Sequence, residues 1–334
     1  MAEKSPATTL WEAAMNNLLS VTNTVKHFPE KGTGKTIKAV DGLSLSITRG
    51  EAVGLIGESG CGKSTLAKLL VGLEHPTSGD ILIEGQNQKR LLKENRLGYY
   101  RRIQMVFQNP FDVFDGRYTI GQTLLRTLEI HKRGHTRQER QEILQDLLSR
   151  ASLTPAGDYL SRYPGELSGG QLQRIAVLRS MLLQPDLLIA DEPVTMLDVS
   201  IRAGIIGLLM EMRKSFGTAL LFISHDIATT AHVSERILVM YLGRIVESGT
   251  TRDILNRPGH PYTKALLSNS GSLKGSRYGL PVRLMGEPPA PIDTGPGCYF
   301  APRCPKATEI CFKTYPPEES TGNGHTLHCF HWNS

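Results

Sequence analysis

The chain is poor in the features that would place it inside a membrane, outside the cell or on a nucleic acid. No apolar run in its 334 residues approaches the roughly eighteen needed to cross a bilayer. The opening residues, MAEKSPATTLWEAAMNN, have no continuous apolar stretch of the kind a secretory leader carries. A cytosolic protein is expected, attached to any membrane only through partners. Aromatic residues make up only 6% of the chain, and beside the basic clusters Lys89–Arg102 and Lys132–Arg140 no extended aromatic platform is read, Tyr99 and Tyr100 being the only aromatics within them. A solvated or membrane-facing edge explains these clusters better than a nucleic-acid face. Cysteine is scarce and uneven: Cys61 is followed by no other until four fall in the last 37 residues.

What the chain does carry is a series of short motifs in order. Ala52–Ile56 is an apolar run that reads as a buried strand. Gly57-Glu58-Ser59-Gly60-Cys61-Gly62-Lys63-Ser64-Thr65 then fits GxxxxGK[ST], and Leu66, Leu69, Leu70 and Val71 continue as a helix. Glycines in such a loop let consecutive N–H groups turn onto phosphate oxygens, and the helix N-terminus adds partial positive charge. Gly57, Ser59, Gly60, Cys61, Gly62, Lys63, Ser64 and Thr65 are therefore the candidate nucleotide-binding set. Lys63 is expected on the β- and γ-phosphates of ATP and Ser64 on Mg2+, with Cys61 a tolerated small residue.

Three further strand patterns deliver polar residues to their C-terminal ends, where open α/β sheets bind ligands. Leu187–Ala190 ends in Asp191, a candidate Mg2+ ligand through water, and Glu192, a candidate general base for the attacking water. Ala219–Ser224 delivers His225, read as a γ-phosphate contact, although a lone histidine after a strand is also an ordinary surface or capping residue. Ile103–Phe107 delivers Gln108, a neutral amide able to touch both Mg2+ and the water. Upstream, Ser20–Phe28 and the alternating Leu43, Leu45 and Ile47 read as an antiparallel hairpin, with Phe28 placed either to stack on adenine or to fill the sheet edge.

Ser168-Gly169-Gly170-Gln171 opens a second glycine-led helix, with Leu172, Ile175, Leu178 and Leu182 on its apolar face. One chain already has a complete phosphate cradle, so this second one calls for another ATP. From about Leu18 to Gly249 the series resembles the ABC ATPases. The resemblance implies a head-to-tail dimer in which Ser168, Gly169, Gly170 and Gln171 close over ATP on the partner subunit. It also implies that Asp198 links the two sites, although Thr195-Met196 stands where Ser-Ala is usual. The helical patterns Ile120–Ile130 and Arg137–Ala151 match the family's helical subdomain, and Phe111–Gly121 lies where a membrane subunit's coupling helix docks.

The tail changes character after Gly249, where proline and glycine thicken. Disulfides are disfavoured in a cytosolic ATPase. Zinc usually shows closer cysteine pairs than the spacings between Cys298, Cys304, Cys311 and Cys329, while His325, His328 and His331 could supply a mixed set. A cubane iron–sulfur centre takes four thiolates. His260-Pro261-Tyr262-Thr263-Lys264-Ala265-Leu266-Leu267, then Gly286–Pro291 and Gly297-Cys298, resemble the C-terminal extension of oligopeptide and dipeptide importer ATPases. That resemblance implies a [4Fe–4S] cluster on Cys298, Cys304, Cys311 and Cys329.

The expected fold is α/β: an ABC-type P-loop ATPase core with an antiparallel β subdomain and a helical subdomain at about 109–180, plus a small cysteine-rich C-terminal extension. The expected boundaries are an arm at 1–17, the ATPase at 18–255 and the extension at 256–334. The resemblance implies an ATPase on the cytoplasmic face of the membrane that powers peptide uptake. Its partners would be a second, homologous but different ATPase subunit, two transmembrane permease subunits and, indirectly, an extracytoplasmic solute-binding protein, with no nucleic acid. Nickel or another small solute is the alternative cargo. A soluble repair or translation ATPase is disfavoured, because no second cassette or long coiled coil is present.

Overall fold

The structure, a computed structural model, describes residues 17–30, 32, 34–269, 286, 289–292 and 294–333, and the side chains of all these but 199 and 200. The expected N-terminal arm, apart from Asn17, and Glu287 and Pro288 of the tail motif lie outside the described residues. Two compact units divide the chain: residues 1–88 with 222–334, and residues 89–221.

In the first unit a four-stranded antiparallel sheet runs in the order Thr36–Thr48, Asn17–Pro29, Ser78–Ile83, Gln86–Asn87. Leu43, Leu45 and Ile47 are buried while Gly42, Ser44 and Ser46 are exposed, the period-two pattern of a sheet with one face on a core. The same unit holds the strand Ala52–Ile56, buried along its whole length and parallel to Arg236–Tyr241. Arg236–Tyr241 pairs antiparallel with Arg244–Thr250, and that strand in turn pairs with His325–Leu327 from the tail. Glu319–Gly322 closes the edge.

The tail thus enters the fold by strand addition, which satisfies its backbone and covers an otherwise open edge. Tyr262, Leu267, Tyr299 and Phe300 bury themselves with Ile56, Ile237, Val239 and Tyr241 in one apolar cluster. A second attachment joins Ile37 to Ile292 by a β-bridge, with Lys38 N–H donating to the Pro291 carbonyl at 2.8 Å.

In the second unit Ile103–Val106 and Leu187–Asp191 form a parallel pair. Helices Ile120–Ile130 and Arg137–Arg150 lie where the apolar spacing placed them, each opened by a capping box, Thr119 with Gln122 and Thr136 with Glu139. Gly169–Met181 and Val199–Phe216 follow. The basic stretch forms two short helices, Gln88–Glu94 and Arg96–Arg102, and Arg102 is held by Asp186 at 2.5 Å.

Candidate functional site

The phosphate loop leaves its buried strand at Gly57. A Cβ there would stand 2.3 Å from the Met240 carbonyl oxygen, so only glycine fits. At the other end Gly62 has φ 106°, and a Cβ would meet the Ala39 carbonyl oxygen at 2.0 Å. The helix Lys63–Val71 begins at the next residue. Lys63 is buried and curls back into the loop, its ammonium donating to the carbonyls of Gly57 at 2.8 Å and Glu58 at 2.9 Å. Cys61 is buried, and burial pushes its thiol pKa up, which makes it a packing residue rather than a reactive one. Ser59, Gly60 and Ser64 are exposed.

Two side chains from the tail reach this loop. The Glu58 N–H donates to the Tyr262 hydroxyl at 2.8 Å, and both Nη atoms of Arg303 donate to the Glu58 carboxylate at 2.7 and 3.1 Å. The Glu58 bond raises the pKa of the guanidinium. Neither partner was singled out from sequence. Tyr262 was noted only as part of the tail motif, and Arg303 not at all.

In the same unit His225 is exposed at the end of Ala219–Ser224, and Asp226 caps the helix Ile227–Val233 through the N–H groups of Ala228 and Thr229. The capping role therefore falls to Asp226, and the His225 ring is presented to solvent. Phe28 is half-buried opposite Ile37, with the Lys26 ammonium 4.8 Å from its ring centroid. One face of Phe28 is thus occupied by a cation.

The second unit brings Gln108 and Glu192 together. The Gln108 amide donates to the Glu192 carboxylate at 3.3 Å, and the Thr195 hydroxyl donates to the same oxygen at 3.0 Å. Glu192 sits at φ 46°, an unusual backbone for a side chain of its size, immediately after buried Asp191. Gln173, which the sequence reading passed over, is buried and donates to the carbonyls of Phe107 at 3.3 Å and Pro193 at 2.9 Å. It holds the residue before Gln108 and the residue after Glu192 from one helix.

That helix is the one opened by Ser168. The Ser168 hydroxyl accepts from the Gln171 N–H at 3.3 Å, and the Gln171 side chain accepts from the Ser168 N–H at 3.0 Å. Gly169 and Gly170 form its first turn, and a Cβ on Gly170 would stand 2.8 Å from Ile201. Asp198 is exposed at the N-cap position of Val199–Phe216, and Met196 is also exposed. Of the segment after Gln108, Phe111 and Tyr118 are exposed, whereas Phe114 is buried beneath the Arg179 guanidinium.

Cys298, Cys304, Cys311 and Cys329 line one small cavity together with His260, Phe300 and His331. Among the described residues no group of three or more His, Cys, Asp or Glu is arranged to hold a metal ion. Burial pushes the Cys298 thiol up to about 11 and those of Cys304 and Cys329 upward. Backbone N–H groups two residues on oppose this in each case, those of Phe300, Lys306 and His331. His325 faces elsewhere: its Nε2 bonds the fully buried Glu247 at 2.8 Å, which also accepts from the N–H groups of Gly259 and His260. His328 bonds the Pro316 carbonyl at 3.1 Å, so His331 alone of the three lines the cavity.

Residues 40–195 match the family described as ABC transporter, and residues 246–311 match the one described as oligopeptide/dipeptide transporter, C-terminal region. The chain is 43% identical over 317 residues to the probable peptide ABC transporter ATP-binding protein y4tS of Sinorhizobium fredii, covering 93% of this chain and 89% of that one. It is 40% identical over 318 residues to the dipeptide transport ATP-binding protein DppF of Haemophilus influenzae, covering 94% and 96%. Among solved structures, the post-hydrolysis dimer of the ATP-binding cassette MJ0796 bound to ADP and Pi is similar at a TM-score of 0.62 and 26% identity, covering 70% of this chain and 99% of that one.

The chain belongs to the ABC transporter ATP-binding family, whose members are ATPases using Mg2+. Within it, the match over 246–311 places the chain in the branch that carries the oligopeptide/dipeptide transporter C-terminal region.

Proposed function

We propose that this protein is the ATP-hydrolysing subunit of a peptide importer, peripheral on the cytoplasmic face of the membrane. It would pair with a homologous second ATPase subunit against two permease subunits fed by an extracytoplasmic binding protein. The observation that carries the peptide assignment is the tail: a peptide-transporter C-terminal region built into the same unit as the phosphate loop by strand addition and a shared apolar cluster. The expected ATPase at 18–255 and extension at 256–334 are retained as sequence boundaries.

Gly57–Thr65 would bind the triphosphate through its N–H groups and Lys63, and Ser64, Asp191 and Gln108 are the residues that would hold Mg2+, which would neutralise phosphate charge. Glu192 takes a proton from the attacking water as its oxygen bonds to the γ-phosphorus and ADP leaves. Gln108 and Thr195 fix the Glu192 carboxylate for that role, since both donate to it. His225 contacts the γ-phosphate, Phe28 the adenine, and Ser168–Gln171 the ATP of the partner. Asp198 carries the state of one site to the other. Reconstituted with its permeases, the transporter is expected to accumulate labelled dipeptide in proteoliposomes only with ATP. Turnover stimulated by another solute and by no peptide would overturn the assignment.

The four cysteines hold a [4Fe–4S] cluster in this reading, which would cross-link the loops of the tail. A single tetrahedral zinc needs sulfurs about 3.8 Å apart, from a Zn–S distance near 2.3 Å. A cubane would give each of the four thiolates that line the cavity its own iron. Protonated buried thiols lose their protons on metal binding. Anaerobic purification is expected to yield about four irons and four sulfides per chain, as the cluster type requires, and Cys304→Ser to lose them. Zinc alone, or no metal, would remove the cluster while leaving the ATPase reading in place.

A further inference from the structure

The phosphate loop is gripped by residues some two hundred positions further along the chain. The Tyr262 hydroxyl takes the Glu58 N–H, and Arg303 takes the Glu58 carboxylate with two bonds, one Nη to each oxygen. Arg303 is only 5% exposed, and its guanidinium also reaches the Tyr241 hydroxyl at 3.4 Å and the Gly286 carbonyl at 3.3 Å. Tyr262 is fully buried, edge-on to Tyr241 at 4.7 Å and tilted against Phe300 at 5.4 Å. Both side chains therefore stand on a rigid apolar frame, and the arginine presents a bidentate fork that specifies direction as well as distance.

Glu58 is the first residue after the strand's closing glycine, and the exposed Ser59 and Gly60 follow it. A loop that binds anions with its own N–H groups must hold them convergent before the anion arrives, or ordering costs are taken from affinity. Glycines at Gly57, Gly60 and Gly62 make this loop intrinsically permissive, so an external hold has something to restrain.

We propose that Arg303 and Tyr262 are positioning residues of the phosphate loop: they clamp Glu58 by its side chain and its backbone, and so make the tail part of the apparatus that binds ATP. The proposal rests on the nucleotide-binding reading of Gly57–Thr65 and is independent of what the cysteines hold.

The test is equilibrium ATP binding to the purified full chain, with turnover measured in the same preparations. Arg303→Met is expected to raise Kd and KM for ATP about tenfold, the scale of one charge-assisted hydrogen bond, while kcat at saturating ATP stays within about twofold. Arg303→Lys is expected to recover part of the loss, and Tyr262→Phe to raise Kd about threefold by leaving the Glu58 N–H without its acceptor. Adding Glu58→Gln to Arg303→Met is expected to cost little more than Arg303→Met alone, because both remove one interaction.

Wild-type Kd and KM in folded Arg303→Met and Tyr262→Phe would overturn the proposal, as would a fall in kcat with KM unchanged. If Arg303→Met does not fold, Tyr262→Phe, which removes a single oxygen, decides. Lys63→Ala separates the two readings: wild-type ATP affinity in that variant would overturn the nucleotide site itself, not the clamp.

Discussion

Glu192 receives hydrogen bonds from both Gln108 and Thr195, so its carboxylate is oriented before any water is bound to it. Removing its charge while keeping its shape tests the assignment most directly. Glu192→Gln is expected to bind ATP normally and to hydrolyse it at least about a hundredfold more slowly, the scale for losing one positioned catalytic group. Near-normal turnover would exclude Glu192 as the base. The residue types of this pair were legible because a strand pattern ended in Asp-Glu and another in Gln. Thr195 was read only as a departure from Ser-Ala at a communication segment. Its hydroxyl bond to Glu192 depends on the turn that brings residues 192 and 195 together, which a strand pattern does not describe. Gln173 was invisible for a different reason: its partners are backbone carbonyls, and backbone carries no sequence signature.

At the level of elements, the strand, loop and helix around Gly57–Thr65 were legible throughout, since each signal is local: an apolar run, glycine spacing and a helical period. The structure adds which glycines are obligatory. Gly60 has φ 77° with open space around its missing Cβ, whereas Gly62 combines φ 106° with a carbonyl oxygen 2.0 Å from where a Cβ would be. Gly60→Ala is expected to cost roughly 1 kcal/mol of stability, and Gly62→Ala roughly 3 kcal/mol or more together with ATP binding. Denaturant titration of the two variants checks the difference, and equal losses would contradict the geometry. Helices Ile120–Ile130 and Arg137–Arg150 matched their apolar spacing because each is capped by its own neighbours. The strands Glu319–Gly322 and His325–Leu327 had no such local signal. They are short and form by pairing to an edge presented by Arg244–Thr250.

Across the whole molecule, the first unit is assembled from both ends of the chain, and Asp41 is one of its joints. Its carboxylate accepts from Tyr299 at 2.5 Å, Arg244 at 2.9 Å and His27 at 2.9 Å. Burial pushes the Asp41 pKa up, but these three partners outweigh it and hold the group at about 2 against an ordinary 3.8. The unfolded chain therefore binds the proton first. The stabilisation is present above about 3.8 and is lost as the pH falls through about 2. Asp41→Asn is expected to lower stability at neutral pH and to flatten its decline over that acid window, measured by urea unfolding at a series of pH values. An unaltered acid profile would exclude the joint. The sequence by itself determined the ATPase motifs, their strand and loop settings and the apolar faces, because each depends on residues within a few positions of one another, and it grouped four cysteines in the last 37 residues. Only the tertiary structure decided that Arg303 and Tyr262 hold Glu58, that Tyr299 holds Asp41, that His325 serves Glu247 and that four cysteines share one cavity. The physical reason is range: the Arg303 to Glu58 bond spans 245 positions, and which distant groups meet is settled by how strands add and side chains pack.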